Sequence, residues 1–439
     1  MAAWQDGSSG TFRASRLAKW FHSAPHKDLD LEDTTTIFSP ADPSYREALY
    51  VLTIFVASFG VFLFLLILMF YTFCYCLCRK PTQVQDECCC CRKSCLRGQI
   101  FILALICSGA LIVGFVYNGK ASDGVDQFRT AVDDIQENIN DAYTKGHHDM
   151  RKSLVDVLNH IGGIAEPLQS RISNLITRLL SDLSHVNNLL PEDVMNESRD
   201  VGNKVHRYDN YRWLATIVLL SWCVISCIFL FWLGCQVKGC ILFMVTLFCL
   251  LTVLFTWAVA AADFGIATGI GDFCVHPKQA IQKIKKGNAT SIVISYYMDC
   301  YGATYNPFDK DLNGLQDHLK QVMTLAEEIT KTFPYKKRII DDLSSVESNL
   351  PLYKASFTCE NIHEEYMDAM DGLCEKALNS LGVVIVTLFV IALFSGLIIC
   401  CTCPLWRHRH PQPTTYNDIR NSSDDIGNAV VWWPQDMDA

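Results

Sequence analysis

The stretch "LYVLTIFVASFGVFLFLLILMFYTFCYCL", from Leu49 to Leu77, decides the fold class of this chain. It contains no Lys, Arg, Asp or Glu, and it is longer than the roughly 20 residues that a helix needs to cross a bilayer core. Four further windows contain no Lys, Arg, Asp or Glu and are at least 20 residues long, at residues 98–117, 213–235, 240–262 and 379–403. Each window can be buried in lipid or against a neighbouring helix without an ionisation cost. The sequence therefore predicts an all-α membrane protein with five transmembrane helices.

The composition agrees with this class and excludes others. Of the 439 residues, 50% are hydrophobic and 19% are charged, which is too apolar for a soluble protein of this size. The net charge of -9 gives no basic face for nucleic acid. We find no phosphate-binding glycine loop, no HExxH and no glycine-flanked nucleophilic serine. We therefore expect neither an enzyme nor a bound cofactor.

Basic residues predict the orientation of the spans. The loop at 78–97 holds five basic residues, namely Arg79, Lys80, Arg92, Lys93 and Arg97, against two acidic ones. By the positive-inside rule this loop is cytosolic. The short loop at 236–239 and the tail at 404–439 then lie on the same side. The N-terminal segment 1–48 and the insertions 118–212 and 263–378 are expected outside the cell.

Both insertions carry apolar residues at helical spacing. The stripes include Ile172, Ile176, Leu179 and Leu183 in the first insertion, and Leu312, Leu315, Leu319 and Val322 in the second. Such stripes bury against partner helices, so the insertions are expected to form one large helical head. Pro334 and Pro351 are expected to interrupt helices of the second insertion. We interpret His147 and His148, in "TKGHHD", as part of a solvated turn rather than a metal site.

The cysteines divide by compartment. Four lie in the second insertion, at Cys274, Cys300, Cys359 and Cys374, and an even number outside indicates disulfides. Four cysteines allow three pairings, and spacing does not choose among them. The cytosolic loop carries a second group at Cys88, Cys89, Cys90, Cys91 and Cys95. Thiols beside a membrane and a basic patch favour reversible acylation, with unmodified thiols as the alternative and a zinc site as the least favoured one.

Two N-glycosylation sequons lie in the segments that are expected outside the cell. Asn196 in "NES" and Asn288 in "NAT" lie on the outer side and are candidates for glycosylation.

The spans offer hydroxyl groups but no fixed positive charge. An anion pathway needs such charge along its length. Anion selectivity would then arise in the head, at the membrane interface or at a subunit seam. Apolar spans below a helical head equally suit a scaffold that binds lipid or mediates adhesion.

Several local motifs carry a resemblance to a known family. They are "FSPADPSYREAL" before the first span, "SDGV" after the second, "YRWLA" opening the third, "DFC" after the fourth, "SYYMDC" with "NPF", and "GLCEKAL" before the fifth. Together with the order of spans and insertions, these motifs make residues 38–403 similar to the Tweety homologue family.

The resemblance implies a homodimer in the plasma membrane, with the N-terminus outside and the C-terminus cytosolic. Members are described as chloride or volume-regulated anion channels. The resemblance implies disulfides between Cys274 and Cys374 and between Cys300 and Cys359. It also implies a pore-determining arginine, which falls at Arg171 when positions are counted from "SDGV".

The family's calcium site pairs a Glu with an Asp three residues later. The Asp corresponds to Asp123, whereas Lys120 occupies the Glu position. Because calcium prefers several hard oxygen ligands, an ammonium group here should weaken or abolish the site. The partners expected from sequence are thus chloride or other small anions, membrane lipids and a second copy of the chain, with calcium doubtful.

Overall fold

The computed structural model describes residues 12–78, 93–141, 146–189, 192–235, 239–284, 288–300, 305–332 and 337–407. Thirteen α-helices are described in these ranges. They are α1 (Arg16–His22), α2 (Pro43–Cys78), α3 (Lys93–Asp141), α4 (Asp149–His160), α5 (Glu166–Leu189), α6 (Glu192–Cys235), α7 (Gly239–Val275), α8 (Pro277–Ile284), α9 (Asn288–Met298), α10 (Asp309–Thr332), α11 (Lys337–Ser356), α12 (Cys359–Met370) and α13 (Leu378–Arg407). A π-helical segment, Asp371–Ala377, joins α12 to α13. The described residues contain no sheet, only an isolated bridge between Lys27 and Asp33, so the all-α class is confirmed.

Five helical stretches are long and apolar enough to cross a membrane, which confirms the predicted number. Helices α3, α6, α7 and α13 share one apolar core, which we call the membrane bundle. Helix α2 packs against α7 and α13 at the edge of this bundle. Only 11% of its most apolar window is buried, against 56% for the span that ends in α13. Most of α2 therefore faces lipid or a partner rather than its own chain.

Two of the spanning helices continue far beyond a bilayer core. At 1.5 Å per residue, the 49 residues of α3 extend about 74 Å and the 44 residues of α6 about 66 Å, whereas the hydrocarbon core is about 30 Å thick. The two helices run antiparallel, because Asn118 meets Trp213 and Ser122 meets Asp209. They form a continuous helical connection between the membrane bundle and the head.

The head is a second helical bundle with its own core. Helices α4, α5, α10 and α11 bury residues at alternating spacings of three and four, for example Ile172, Ile176, Leu179, Leu183 and Val186 on α5. The stripes on α10 and α11 follow the same rule, beginning at Leu312 and Ile339. This spacing is typical of helices that pack side by side at a small angle. Helices α9 and α12 add Tyr296, Tyr297 and Ile362 to the same core.

Two expectations about the head are wrong. Helix α11 continues through Pro351 to Ser356 because Leu350 and Tyr353, on either side of the proline, are buried in the head core. His147 is buried rather than solvated, at 7% exposure, in a π-helical turn that precedes α4, whereas His148 is exposed. The adjacent Gly146 packs so closely on Tyr353 that a Cβ there would lie 2.0 Å from the ring. Tertiary packing on α11 therefore buries this turn. Pro334 lies outside the described residues.

Candidate functional site at the junction of head and membrane bundle

The head and the membrane bundle meet in a third apolar cluster, which we call the junction. It joins α1, α3, the end of α7, the end of α12, the π-helical segment and the start of α13. Its buried residues include Ala18, Phe21, Val125, Ala267, Met370, Leu373, Leu378 and Leu381. The junction therefore brings residues from near the beginning, middle and end of the chain into one place.

Two glycines allow the closest backbone approach in the junction. A Cβ on Gly124 of α3 would lie 2.5 Å from the amide nitrogen of Ala377 and 2.7 Å from the carbonyl oxygen of Gly372. A Cβ on Gly372 would in turn lie 2.8 Å from the carbonyl oxygen of Gly124. Only glycine fits at either position without moving backbone. The π-helical segment is thus seated directly on α3, and π-helical turns of this kind often mark functional positions.

A disulfide reinforces the same contact. Cys274, at the end of α7, is bonded to Cys374 in the π-helical segment, with 5.7 Å between the two Cα atoms. The second disulfide joins Cys300 to Cys359 at the start of α12, with a Cα separation of 5.5 Å. The first bridge restrains the connection of the head to α7 and α13. The second lies in the head, since Cys359 packs against the head core.

A buried carboxylate holds the N-terminal segment on the junction. Asp272, on α7, is fully buried, and its Oδ1 lies 2.8 Å from Nδ1 of His22. Its Oδ2 lies 2.8 Å from Nε2 of His26 and accepts a hydrogen bond of 2.8 Å from the hydroxyl group of Tyr45. Three separate pieces of chain thus meet on one side chain. The N-terminal segment and the start of α2 cannot leave α7 without exposing or unpairing this carboxylate.

A second polar network crosses from α3 to α6 below the junction. Arg212 donates hydrogen bonds to Asp209, at 2.8 Å, and to Asn118, at 2.9 Å, while Ser122 donates to Asp209 at 2.7 Å. The side chains of Arg212 and Asp209 are only 7% and 6% exposed. Asp263 of α7 is also buried, and its Oδ2 has no hydrogen-bond partner among the described residues. The polar layer therefore lies where the apolar windows of the spans end.

The membrane bundle itself is closely packed. Its described interior contains a small cavity with room for about one water molecule, lined mostly by thiol and hydroxyl groups that include Cys107, Cys227, Cys249, Ser226 and Thr252. Ser226 and Thr252 lie 3.2 Å apart across it. Among the described residues no group of three or more His, Cys, Asp or Glu is arranged to hold a metal ion. A cavity of this size cannot pass a hydrated ion.

Known sequences are similar to this chain over most of its length. A sequence model of the Tweety family matches residues 13–428. The chain belongs to the Tweety family. It is similar to protein tweety homolog 3 of Danio rerio, with 28% identity over 414 residues that cover 89% of this chain and 72% of the relative. It is also similar to protein tweety homolog 3 of Xenopus laevis, with 26% identity covering 92% and 81%, and to protein tweety homolog 1 of Bos taurus, with 25% identity covering 95% and 96%.

The position that the Tweety resemblance assigns to a pore arginine lies on the head. Arg171 is exposed on α5, beside the buried Ile172. Helix α5 packs mainly against α10, with smaller contacts to α4 and α9. The guanidinium group of Arg171 therefore faces the surroundings of the head and is separate from the junction network.

The two positions of the Tweety calcium site lie on the solvent-facing side of α3. Asp123 and Lys120 are both exposed. The ammonium group of Lys120 lies 4.8 Å from the centre of the Tyr117 ring, which is a cation–π contact. The positive charge thus occupies the position at which the resemblance implies a carboxylate.

The remaining predicted positions are only partly described. Asn196 lies in α6, Asn288 is the first residue of α9, and Cys95 lies in the first turn of α3. Cys88 to Cys91 fall outside the described residues. Sequence reasoning missed His22, His26 and Asp272 as one network. The signals present were the pair of histidines four residues apart and an aspartate in "GIGDFC" just beyond an apolar span.

Proposed function

We propose that this protein is an anion channel of the plasma membrane, of the Tweety type, that conducts chloride and is regulated by cell volume. The observation that carries the proposal is the extent of the family match, which takes in all five spans and the head. The orientation proposed from the basic residues puts the N-terminus and the head outside and the C-terminal tail in the cytosol.

We propose that the anion pathway lies between two copies of the chain. The cavity described above inside one membrane bundle has room for about one water molecule. A pathway through a single bundle would need the helices to separate. Helix α2, by contrast, leaves large side chains such as Phe55, Phe59 and Phe62 exposed along its length. This surface can seat a second subunit as well as lipid, and we propose that a homodimer uses it.

Arg171 is the residue that we propose to attract anions. Its side chain is exposed on α5, and a positive charge at the outer end of a pathway raises the local concentration of anions. The effect is long-range and is screened by salt over about 10 Å at 0.1 M ionic strength. The role of Arg171 should therefore be strongest at low ionic strength.

The experiment is halide flux through the purified protein in sealed liposomes. Wild type is compared with Arg171→Ala and Arg171→Glu, and Arg178→Ala is the matched control because Arg178 is exposed on the same helix two turns away. We expect flux to fall in Arg171→Ala, to fall further in Arg171→Glu, and to fall less in Arg178→Ala than in Arg171→Ala, because Arg178 lies about 10.5 Å away along the helix, close to the screening length. Equal flux in all four proteins would remove Arg171 from the pathway.

The second proposal is a non-conducting scaffold that binds or transfers lipid and organises the membrane, including by adhesion. The feature that favours it is the absence of Lys and Arg from the apolar windows of the five spans. Transfer of a fluorescent lipid, measured on the same vesicles as halide flux, separates the two proposals. Lipid transfer without flux would support the scaffold and contradict the channel.

A further inference from the structure

The surroundings of His26 determine how many protons it holds. Its Nδ1 lies 2.8 Å from the carbonyl oxygen of Ala24, and its Nε2 lies 2.8 Å from Oδ2 of Asp272. A backbone carbonyl can only accept a hydrogen bond, so Nδ1 must carry a proton. The side chain of His26 is 2% exposed, which leaves little access for water to replace either partner.

The second ring nitrogen of His26, Nε2, also needs a proton between it and its partner. An ionised carboxylate only accepts, so Nε2 also needs a proton when Asp272 is charged. When Asp272 is instead protonated, the same proton lies on the carboxyl group and points at Nε2. In both arrangements the pair holds one proton more than a neutral imidazole and an ionised carboxylate. We propose that His26 and Asp272 form a buried proton-binding site that fastens the N-terminal segment, residues 12–42, to the end of α7, and that loss of the proton releases this segment.

Among the described residues, no Lys or Arg side chain forms an ion pair or hydrogen bond with Asp272. The other titratable groups in contact with it are His22 from α1 and Tyr45 from the start of α2, and the ring centre of His276, just after α7, lies 5.2 Å from that of His22. Lys27, the next residue along the chain, pairs with Asp33 instead. None of the described hydrogen-bond partners of Asp272 is Lys or Arg. A protonated histidine is thus the cation that offsets this buried carboxylate.

The direction of the pKa shift agrees with this geometry. Burial lowers the pKa of His26, but the hydrogen bond to Asp272 and the negative charge of Asp272 outweigh burial, so the pKa is raised above its ordinary value. Because the pKa is raised on folding, protonation of His26 contributes its full stabilisation of the folded state at pH values below the pKa of histidine in the unfolded chain, which is about 6.5. The contribution is lost as pH rises through the higher folded value. The site therefore fastens the segment at acidic pH and weakens towards alkaline pH.

Release of the segment would uncover the junction. Helix α1 buries Ala18 and Phe21 there. The backbone of Gly271 packs directly beneath α1, since a Cβ on it would lie 3.0 Å from the carbonyl oxygen of Ala18. Loss of the proton leaves Asp272 as a buried charge without a cation, which is costly in a low-dielectric site. This inference concerns the N-terminal segment and does not depend on anion conduction.

The first test measures the proton directly, on the full chain in detergent. The rate of deuterium exchange at the C2 position of histidine, followed by mass spectrometry against pH, reports the titration midpoint of each histidine. His22 and His26 share the tryptic peptide from Trp20 to Lys27, so His26 is measured in His22→Gln, in which glutamine can still donate to Asp272. We expect a higher midpoint in the folded protein than in the unfolded chain. Asp272→Asn should lower the folded midpoint below the unfolded one.

The second test measures release of the segment. Amide hydrogen exchange of residues 12–42, corrected for the intrinsic effect of pH, should speed up in wild type and His22→Gln as pH rises. In His26→Gln the exchange should be fast at every pH. His318→Gln is the control, because it removes another histidine–aspartate pair, His318 with Asp182 in the head, and should behave as wild type. A His26 midpoint at or below the unfolded value, or pH-independent protection in wild type, would overturn the proposal.

Discussion

Replacement of Gly124 by Ala tests the closest contact between the head and the membrane bundle. The new Cβ would lie 2.5 Å from the nitrogen of Ala377, 2.7 Å from the oxygen of Gly372 and 2.9 Å from the Cα of Ala377. Ordinary contacts begin at 3.4 Å, so α3 and the π-helical segment would have to separate by about 0.9 Å. No flexible side chain can move aside, because all three atoms belong to the backbone.

The size of the effect follows from two opposing terms. Overpacking typically costs about 1–3 kcal/mol, and a clash with backbone alone belongs near the upper value. Alanine in place of glycine within a helix stabilises by about 1 kcal/mol. We therefore expect Gly124→Ala to lower the free energy of unfolding by about 2 kcal/mol. Gly119→Ala, on the same helix, meets nothing within 4 Å and should gain up to about 1 kcal/mol.

The assay is thermal unfolding of both variants and wild type in the same detergent at one scan rate, since unfolding of a large membrane protein is commonly irreversible. We expect the apparent Tm of Gly124→Ala to be about 3–6 °C below that of Gly119→Ala. If Gly124→Ala melts with or above Gly119→Ala, the two backbones do not approach as described, and the junction is looser than the structure indicates.

Three further predictions concern stability. Tyr45→Phe removes one donor from a buried carboxylate and should lower the free energy of unfolding by about 1–3 kcal/mol, measured by thermal unfolding, whereas Tyr50→Phe at an exposed position should leave it unchanged. Joint replacement of Cys300 and Cys359 by Ser opens a loop with a sequence separation of 59 and should lower the free energy of unfolding by about 4 kcal/mol. Proteolysis of the head should become faster, and an unchanged rate would contradict a stabilising bridge. Leu183→Ala, in the fully packed head core, should cost about 2–5 kcal/mol in chemical denaturation, and a loss below 1 kcal/mol would mean that the head core is loose.

The sequence predicts the two bundles well because each is encoded locally. Uninterrupted apolar windows identify the five spans, and alternating spacings of three and four identify the buried stripes of the head, such as Ile172, Ile176 and Leu179. The ends of α3 and α6 are harder to predict. The apolar window of α3 ends near Lys120, but the backbone stays helical for another 21 residues, to Asp141. The change in polarity therefore marks the end of the apolar window and not the end of the helix.

The junction is poorly predicted because its contacts are distant in sequence. His26 and Asp272 are 246 residues apart, and neither belongs to a periodic pattern from which their contact could be predicted. The pairing of Cys274 with Cys374 was implied by family resemblance, whereas spacing left three pairings open. At Pro351 a local rule misleads. Proline usually interrupts a helix, but α11 continues through it because the neighbouring residues are buried in the head core.

The most direct test of the proposed function is halide flux measured vesicle by vesicle, with the number of labelled chains in each vesicle counted by photobleaching. The cavity inside the membrane bundle of one chain is too small for a hydrated ion, and the pathway is proposed to lie between two copies. Vesicles with two chains should therefore pass halide, and vesicles with one chain should be tight. Flux through vesicles that hold a single chain would contradict the pathway between subunits. Tight vesicles at every chain number would contradict the channel itself.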